Sequence, residues 1–356
     1  MGRVLLLTRG DAQWGLGHLH RVSWLTEALG AQRPPLHPAV CCLDSAEARR
    51  FWTGRAARVD FAAPEMDGAQ LGAGLALELT DRDVVVVDWL DSAPGLVCAL
   101  RGSGAQAVLL DDYGPARRHA SLVINALLAP LRMDDERVGR ARLVGGARYV
   151  QLPPAVTRLR GTAAATARAM ETELAAPLEP GTEVHSVLVS FGGSPRAQLI
   201  ELALGALADA GYGGRVIVMP APDEQPPDGG LDVEWLKAGE QFHSLLAAAD
   251  LAICGGGLTL YEAAFLGVPA IAIAQPSPVP GHEDHQLGTI GKLAAAGCCL
   301  ALGMAGEVGR EQLSVTLGEL LADCQRRGRM SAAGLGLLDG RGLMRTVEEI
   351  LPLVRP

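Results

Sequence analysis

The stretch that decides the fold is the apolar run Val4-Leu5-Leu6-Leu7 and the turn that follows it, Gly15-Leu16-Gly17-His18-Leu19-His20-Arg21. A short apolar run of this kind predicts a buried strand, and the glycine turn predicts a helix that starts near His18. Glycine lets the backbone approach a ligand closely, and the unpaired amides of a helix start attract anions. The sequence therefore predicts a ligand site at the end of the first strand, with Gly15 and Gly17 at the ligand.

Two further glycine turns follow strand-like runs in the second half of the chain. They are Ser190-Phe191-Gly192-Gly193-Ser194 and, after Leu251-Ala252-Ile253-Cys254, the segment Gly255-Gly256-Gly257-Leu258-Thr259-Leu260-Tyr261-Glu262. The turn at Ser190–Ser194 is predicted to wrap a diphosphate, and the alternative is a tight turn that binds no ligand. Glu262 is predicted to accept hydrogen bonds from a ribose diol, with a solvated helix glutamate as the alternative. Turns in both halves indicate a ligand held between two domains.

Composition limits the class of protein. A chain of 356 residues exceeds what one core usually supports, so two domains are expected. A net charge of -9 and an aromatic content of 4% argue against nucleic-acid partners. Seven scattered cysteines without a Cys-x-x-Cys pair predict reduced, buried thiols. With no signal peptide and no long apolar run, we expect a cytoplasmic protein without a membrane span.

Strands alternate with helices along the whole chain, which predicts parallel sheets covered on both faces. We predict helices at His18–Leu29, Ala46–Trp52, Pro94–Arg101 and Ala197–Ala210. The predicted strands of the first half are Val4–Thr8, Ala39–Leu43, Val84–Asp88, Ala107–Asp111, Leu122–Asn125 and Tyr149–Leu152. Those of the second half are Ser186–Phe191, Arg215–Met219, Val233–Leu236, Leu251–Cys254, Ala270–Ala274 and Cys298–Leu302.

His18 is the candidate general base. The positive end of a helix dipole disfavours an imidazolium ion, and a neutral imidazole can accept a proton from water. Arg21 lies three residues further on nearly the same helix face, where it can hold a phosphate or a carboxylate. Asp11 is predicted to orient His18 or a sugar hydroxyl. The alternative is a histidine that packs at a helix start without a catalytic role.

A metal site is weighed at two places and not favoured. Gly281-His282-Glu283-Asp284-His285-Gln286 contains two histidines and two carboxylates, but no further ligands at a familiar spacing. Asp111-Asp112 at a strand end is a lone acidic pair. We therefore expect a reaction that needs neither a metal nor another cofactor.

Taken in order, these turns and several shorter motifs resemble the UDP-sugar hydrolase of pseudaminic acid biosynthesis and the related spore-coat polysaccharide proteins. The resemblance runs along most of the chain and rests on the series of motifs. The shorter motifs are Leu109-Leu110-Asp111-Asp112, Leu122-Val123-Ile124-Asn125, Val187–Ser194, Ala249-Asp250-Leu251-Ala252-Ile253, Leu266-Gly267-Val268-Pro269, Gln286 and Leu338-Asp339-Gly340-Arg341-Gly342.

This resemblance implies the α/β architecture called GT-B, in which two tandem Rossmann-like domains with doubly wound parallel sheets face a central cleft. Residues 1–155 would form the sugar-binding and catalytic domain and residues 156–182 a linker. Residues 183–337 would form the nucleotide-binding domain, and residues 338–356 a helix that crosses back to the first domain.

The resemblance also implies that the second domain binds UDP. Glu262 would hold the ribose, backbone near Phe242 would meet the uracil, and Gln286 would lie among the ligand contacts. The diphosphate would meet Gly192, Gly193, Ser194, Gly256, Gly257, Leu258 and Thr259.

The leading hypothesis is a UDP-sugar hydrolase of surface-polysaccharide or nonulosonic acid biosynthesis that releases UDP and an acetamido-bearing sugar. His18 activates water, and Asp11, Arg21 and Asp88 arrange the sugar and the water. A GT-B glycosyltransferase with a UDP-sugar donor is the first alternative, and a non-catalytic nucleotide-sugar binding protein is the second. The sequence leaves the identity of the sugar and the oligomeric state open.

Overall fold

The computed structural model describes residues 2–11, 14–55, 57–66, 68–126, 139, 141–160, 183–193, 196–239, 241–276 and 284–356. The chain divides into two compact units. Unit 1 contains Met1–Gln151 and Gly340–Pro356, and unit 2 contains Leu152–Ser277 and His282–Asp339. Each unit is built on its own parallel sheet.

Unit 1 contains a seven-stranded sheet in the order β3-β2-β1-β4-β5-β6-β7, and every neighbouring pair is parallel. The strands are β1 (Val4–Thr8), β2 (Ala39–Leu43), β3 (Val59–Ala62), β4 (Val84–Val87), β5 (Gln106–Leu110), β6 (Leu122–Asn125) and β7 (Arg142–Gly145). The helices of this unit are α1 (Gly17–Gly30), α2 (Ala46–Trp52), α3 (Gly68–Ala76), α4 (Pro94–Gly102) and, at the end of the chain, α12 (Gly342–Ile350).

Unit 2 contains a six-stranded parallel sheet in the order β10-β9-β8-β11-β12-β13. The strands are β8 (Ser186–Ser190), β9 (Arg215–Val218), β10 (Asp232–Trp235), β11 (Leu251–Gly255), β12 (Ala270–Ala274) and β13 (Cys299–Met304). The helices are α5 (residues 154–160), α6 (Ala197–Asp209), α7 (Phe242–Ala248), α8 (Leu258–Leu266), α9 (His285–Ala295), α10 (Arg310–Ala322) and α11 (Cys324–Leu337). Within the described ranges, no helix has the length and apolar character of a membrane span.

The central strands are buried on both faces because their side chains alternate between two apolar layers. In β4, Val84 and Val86 face the layer that contains α1, whereas Val85 and Val87 face the layer that contains α4. All four valines are fully buried. Branched side chains pack well on such a surface, which explains why these short runs form strands.

The C-terminal helix α12 packs on unit 1. Val347 and Ile350 join the apolar cluster that contains the buried residues of α1. The Tyr149 hydroxyl donates to Glu349 Oε1 at 2.9 Å, and Gln151 Nε2 donates to Thr346 Oγ1 at 3.4 Å. These contacts fix α12 beside the chain segment that follows β7.

In unit 1, the strands β3 and β7 and the helix α3 were not predicted, and one predicted strand is wrong; in unit 2, the helices α7, α10 and α11 were not predicted. The strands β3 and β7 lie at the two edges of the first sheet and are largely half-exposed, so they lack a continuous apolar run. The helix α3 is rich in glycine because Gly72 packs directly against the backbone of Leu96. The predicted strand Tyr149–Leu152 is instead a 3-10 turn at Ala147–Tyr149 followed by irregular chain.

The seven cysteines are all free thiols, and the prediction that all are buried is wrong in part. Cys98 is exposed on α4, and Cys324 is half-buried at the start of α11. Cys41, Cys42, Cys254, Cys298 and Cys299 are buried in or beside strands.

Candidate functional site

The first sheet reverses its strand order between β1 and β4, which lie side by side. In open α/β sheets, ligands bind beyond the carboxyl ends of the strands at such a reversal. The turn that contains Gly15 and Gly17 follows β1, and Asp88 follows β4. The Asp88 amide donates to the Leu7 carbonyl at 2.9 Å, so the two strand ends are held together. The candidate site of unit 1 lies at this point.

The turn after β1 closes on Asp11. The Gly15 amide donates to the Asp11 carbonyl at 2.8 Å, and the Trp14 amide donates to Asp11 Oδ1 at 2.7 Å. Gly15 has a φ of 75°, a left-handed conformation that favours glycine. The carboxylate that meets the imidazole of His18 is that of Asp88 and not that of Asp11, whereas the predicted contact of Asp11 with a sugar hydroxyl stays a prediction.

His18 lies in the first turn of α1 and pairs with Asp88. Its Nδ1 lies 2.8 Å from Asp88 Oδ1. Arg21 Nη2 also lies 3.2 Å from this Nδ1, but arginine can only donate. We assign the Nδ1 proton to the shorter, charge-assisted bond with Asp88. The lone pair is then on Nε2, which has no hydrogen-bond partner in the described part of the chain.

Arg21 lies between two buried carboxylates. Its Nε donates to Asp88 Oδ2 at 3.1 Å, its Nη2 donates to Asp88 Oδ1, and its Nη1 donates to Asp111 Oδ2. Burial alone would raise the pKa of Asp88, but Arg21 and then His18 outweigh it and lower that pKa. Burial would lower the pKa of Arg21, but Asp88 and Asp111 raise it. Asp88 is therefore held as an anion against His18.

Asp111 and Asp112, weighed above as a cation site, stabilise the backbone of neighbouring loops. Asp111 has a φ of 47°, and its Oδ1 accepts the Ala126 amide at 2.6 Å. Asp112 accepts the Gly114 amide at 2.7 Å and the Ser92 amide at 3.0 Å. Burial raises the pKa of Asp112 to about 6. Among the described residues there is no group of three side chains that could hold a metal, and His282 and Glu283 lie outside them.

The second sheet reverses its strand order between β8 and β11. Ser190 pairs with Cys254 at the carboxyl ends of these strands, so the two glycine turns begin next to each other. Gly192 has a φ of 103° and, like Gly193, is exposed. Ser194, predicted at the diphosphate, lies outside the described residues. The turns of unit 2 thus lie at the same kind of position as the turn of unit 1.

Gln286 joins the turns of unit 2. Its Oε1 accepts the Gly256 amide at 3.0 Å and the Gln275 amide at 2.9 Å. Gln275 Nε2 donates in turn to the Phe191 carbonyl at 3.0 Å. A Cβ on Gly256 would lie 2.8 Å from Ile290 Cγ2, so this position has no room for a side chain. Gly256 and Gln286, predicted as ligand contacts, are thereby engaged with each other.

The start of α8 presents amide donors. Gly257 is the residue before the helix, and Leu258 and Thr259 are its first two residues. The first N–H groups of an α-helix have no acceptor within the helix. Gly257, Leu258 and Thr259 are each half-buried, so a ligand can reach this end of the helix. The amides of Leu258 and Thr259 suit an anionic group.

Glu262 lies one turn further along α8 and is only 5% exposed, which excludes the alternative of a solvated helix glutamate. Its Oε1 lies 3.5 Å from His243 Nε2 on α7. The rings of Phe242 and His243 meet edge to face at 5.5 Å, and the Phe242 amide donates to the Gly239 carbonyl at 3.3 Å. His243 was not predicted, although it lies beside Phe242 in the sequence.

The predicted site residues therefore form two groups, one in each unit. The group of unit 1 contains Asp11, Gly15, Gly17, His18, Arg21 and Asp88. The group of unit 2 contains Gly192, Gly193, Phe242, Gly256, Gly257, Leu258, Thr259, Glu262 and Gln286.

No family model matches the chain. The chain is similar to the spore coat polysaccharide biosynthesis protein SpsG of Bacillus subtilis strain 168, with 25% identity over 277 residues that cover 74% of each protein. It is also 40% identical, over 90 residues or 25% of its length, to the UDP-N-acetylglucosamine–N-acetylmuramyl-(pentapeptide) pyrophosphoryl-undecaprenol N-acetylglucosamine transferase of Alkalilimnicola ehrlichii. Among solved structures, MurG of Acinetobacter baumannii matches with a TM-score of 0.68 and 15% identity, covering 98% of this chain and 99% of MurG.

These similarities confirm the predicted fold class, since the two parallel-sheet α/β units have the fold of the GT-B glycosyltransferases. The predicted likeness to spore-coat polysaccharide proteins is confirmed as well. Hydrolysis of a UDP-sugar and the link to pseudaminic acid stay predictions.

Proposed function

We propose that the chain is a glycosyltransferase that uses a UDP-sugar donor, with His18 as the base that deprotonates the acceptor hydroxyl. The observation that carries this proposal is the buried pair of His18 and Asp88 at the end of β1 and β4. Support also comes from the transferase of Alkalilimnicola ehrlichii, whose name specifies a UDP-sugar. The polysaccharide-related name of SpsG fits the same class of reaction.

In this mechanism Asp88 holds the Nδ1–H of His18, and the Nε2 lone pair accepts the proton of the acceptor hydroxyl. The acceptor oxygen attacks the anomeric carbon, the bond from that carbon to the UDP oxygen breaks, and UDP leaves with the electron pair. The carboxylate of Asp88 stabilises the imidazolium that forms. Arg21 keeps Asp88 ionised and in place, so we assign it a positioning role.

Unit 2 binds the nucleotide in this proposal. The exposed turn at Gly192 and Gly193 and the first amides of α8 receive the diphosphate. These donors are fixed before the reaction, so they stabilise the negative charge that develops on the leaving group. Glu262, held near His243, accepts hydrogen bonds from the ribose hydroxyls.

Hydrolysis is the second candidate function. Only 9% of the His18 side chain is exposed, which favours the smallest acceptor, water. The same base would then activate water, and the products would be UDP and a free sugar.

Incubation with a panel of UDP-sugars, followed by mass spectrometry, separates these functions. For a transferase we expect UDP to appear when saccharide, lipid-linked or peptide acceptors are added, together with a product whose mass equals acceptor plus sugar. UDP and free sugar in equal amounts without any acceptor would identify the hydrolase. Tight UDP binding without turnover under all conditions would contradict both and indicate a binding protein.

Substitution of Glu262 by alanine tests the nucleotide site. We expect the Kd for UDP to rise by ~10–100-fold, since a hydrogen bond to a charged group is worth about 1.5–3 kcal/mol. Isothermal titration calorimetry with UDP and 2′-deoxy-UDP measures the effect. The wild-type protein should prefer UDP, whereas Glu262→Ala should bind the two ligands equally.

The matched control is Glu319→Ala, which removes an exposed glutamate of the same unit and should not change either Kd. A wild-type preference for UDP that survives intact in Glu262→Ala would show that this carboxylate does not hold the ribose.

A further inference from the structure

Arg9 lies directly after β1, at the same sheet edge as His18. Its guanidinium carbon lies 3.3 Å from the ring centroid of Trp14 and 5.7 Å from that of Trp89. Trp89 is buried and follows Asp88, the partner of His18. The Arg9 guanidinium therefore lies over the Trp14 ring and near the residue that follows Asp88.

Arg9 differs from Arg21 and Arg49 in its partners. Arg21 is paired with two carboxylates, and Arg49, which also lies over an aromatic ring, is paired with Asp44. Arg9 makes no hydrogen bond or ion pair with any residue that the structure describes. The charge of the Asp11 carboxylate acts on Arg9 and favours its cationic form.

The charge of Arg9 persists in this position. Burial lowers the pKa of Arg9 to about 10, and Asp11 opposes that shift, so the side chain is cationic at neutral pH. Partial burial of a cation carries a cost in free energy, and a bound anion would offset it. Stacking on Trp14 covers one face of the guanidinium and leaves its in-plane N–H donors for a planar or tetrahedral oxyanion.

We propose that Arg9 binds a carboxylate or phosphate group on the saccharide that is processed beside His18. The inference rests on the proposed function and deepens it, because it makes the substrate of unit 1 an acidic sugar or a sugar phosphate. Arg9 provides charge recognition, Trp14 holds its guanidinium in place, and His18 remains the base.

Binding of small saccharides to the full-length protein tests this assignment. The probes are glucuronate, glucose 6-phosphate and neutral glucose, titrated by ligand-observed NMR at low and high salt. We expect one of the two anions to bind at least about tenfold more tightly than glucose, corresponding to about 1.4 kcal/mol. The anion that is preferred distinguishes a carboxylate from a phosphate.

Arg9→Gln and Arg9→Ala should abolish this preference while glucose binding is unchanged, and Arg9→Lys should keep part of it. Arg49→Ala, which removes an arginine with the same kind of ring contact, should behave as wild type. Thermal melting of each variant establishes that it is folded. Trp14→Phe changes the ring that contacts the Arg9 guanidinium but keeps the charge of Arg9, so it tests the ring contact separately from the charge.

No preference for either anion in the wild type, or an unchanged preference in both neutral Arg9 variants, would overturn the assignment. UDP binding is measured separately on the same samples. If the wild-type protein binds UDP normally but shows no anion preference, only the role of Arg9 is contradicted. If the wild-type protein does not bind UDP, the proposed function itself is contradicted.

Discussion

Replacement of His18 by alanine is expected to lower kcat for UDP release by ~10²–10⁴-fold, the usual contribution of a general base. The imidazole is the group whose Nε2 lone pair receives the acceptor proton, and Asp88 cannot replace it because it is fully buried. The Kd for UDP should change little, since the nucleotide contacts are proposed in unit 2. Steady-state rates and calorimetric titration of the same preparation measure both quantities.

His20→Ala is the matched control for this variant. His20 lies two residues further along α1 and packs against Phe51, with ring centroids 4.8 Å apart. The His20→Ala variant should leave kcat unchanged. Asp88→Asn should lower kcat, because the Nδ1 proton of His18 then loses its anionic acceptor. Wild-type turnover in His18→Ala would remove the base from the mechanism, whatever the behaviour of Asp88→Asn.

The strands at the centre of each sheet could be predicted closely from the sequence. The strands β1, β2, β6 and β12 have the predicted bounds, because a strand that is buried on both faces must be a short apolar run. The edge strand β3 was missed because Asp60 faces solvent in its middle, and its pairing with β2 depends on contacts far along the chain. Its sequence alone does not distinguish it from a loop.

The position of His18 could also be predicted, because a glycine turn after a strand sets a helix start locally. The carboxylate that pairs with His18 could not be predicted in this way. Asp88 is 70 residues away and meets His18 only because β1 and β4 are neighbours in the sheet. Asp11, close in sequence, was the natural prediction, yet it closes its own turn.

In unit 2, the role of Gln286 shows the same limit of sequence interpretation. The glycine turns at Gly192 and Gly256 were identified, but Gln286 was predicted as a ligand contact and not as the side chain that holds the second turn in place. Glu262 was predicted as a ribose acceptor without its neighbour His243, because only the packing of α7 on α8 brings these two residues together. Local patterns predict where the backbone can bind an anion, whereas partners of charged side chains depend on the tertiary fold.

Arg21→Met is expected to destabilise unit 1 by about 3–5 kcal/mol, the usual loss when one member of a buried ion pair is removed. Methionine fills a similar volume, but Asp88 and Asp111 then remain buried without their common cation. Urea unfolding followed by tryptophan fluorescence measures the effect. Of the five tryptophans, Trp14, Trp24, Trp52 and Trp89 belong to unit 1, so the signal reports mainly on that unit.

Two further variants separate the buried charge from the loss of an arginine as such. Arg49→Met removes an exposed arginine paired with Asp44 and should have little effect on the unfolding midpoint. Arg21→Met combined with Asp111→Asn should recover part of the loss, because one of the two uncompensated carboxylates is then neutral. If Arg21→Met unfolds at the same urea concentration as Arg49→Met, the cluster of His18, Arg21 and Asp88 is not held by buried charge. The positioning role of Arg21 would then have to be abandoned, while the direct role of His18 would still rest on its own kinetic test.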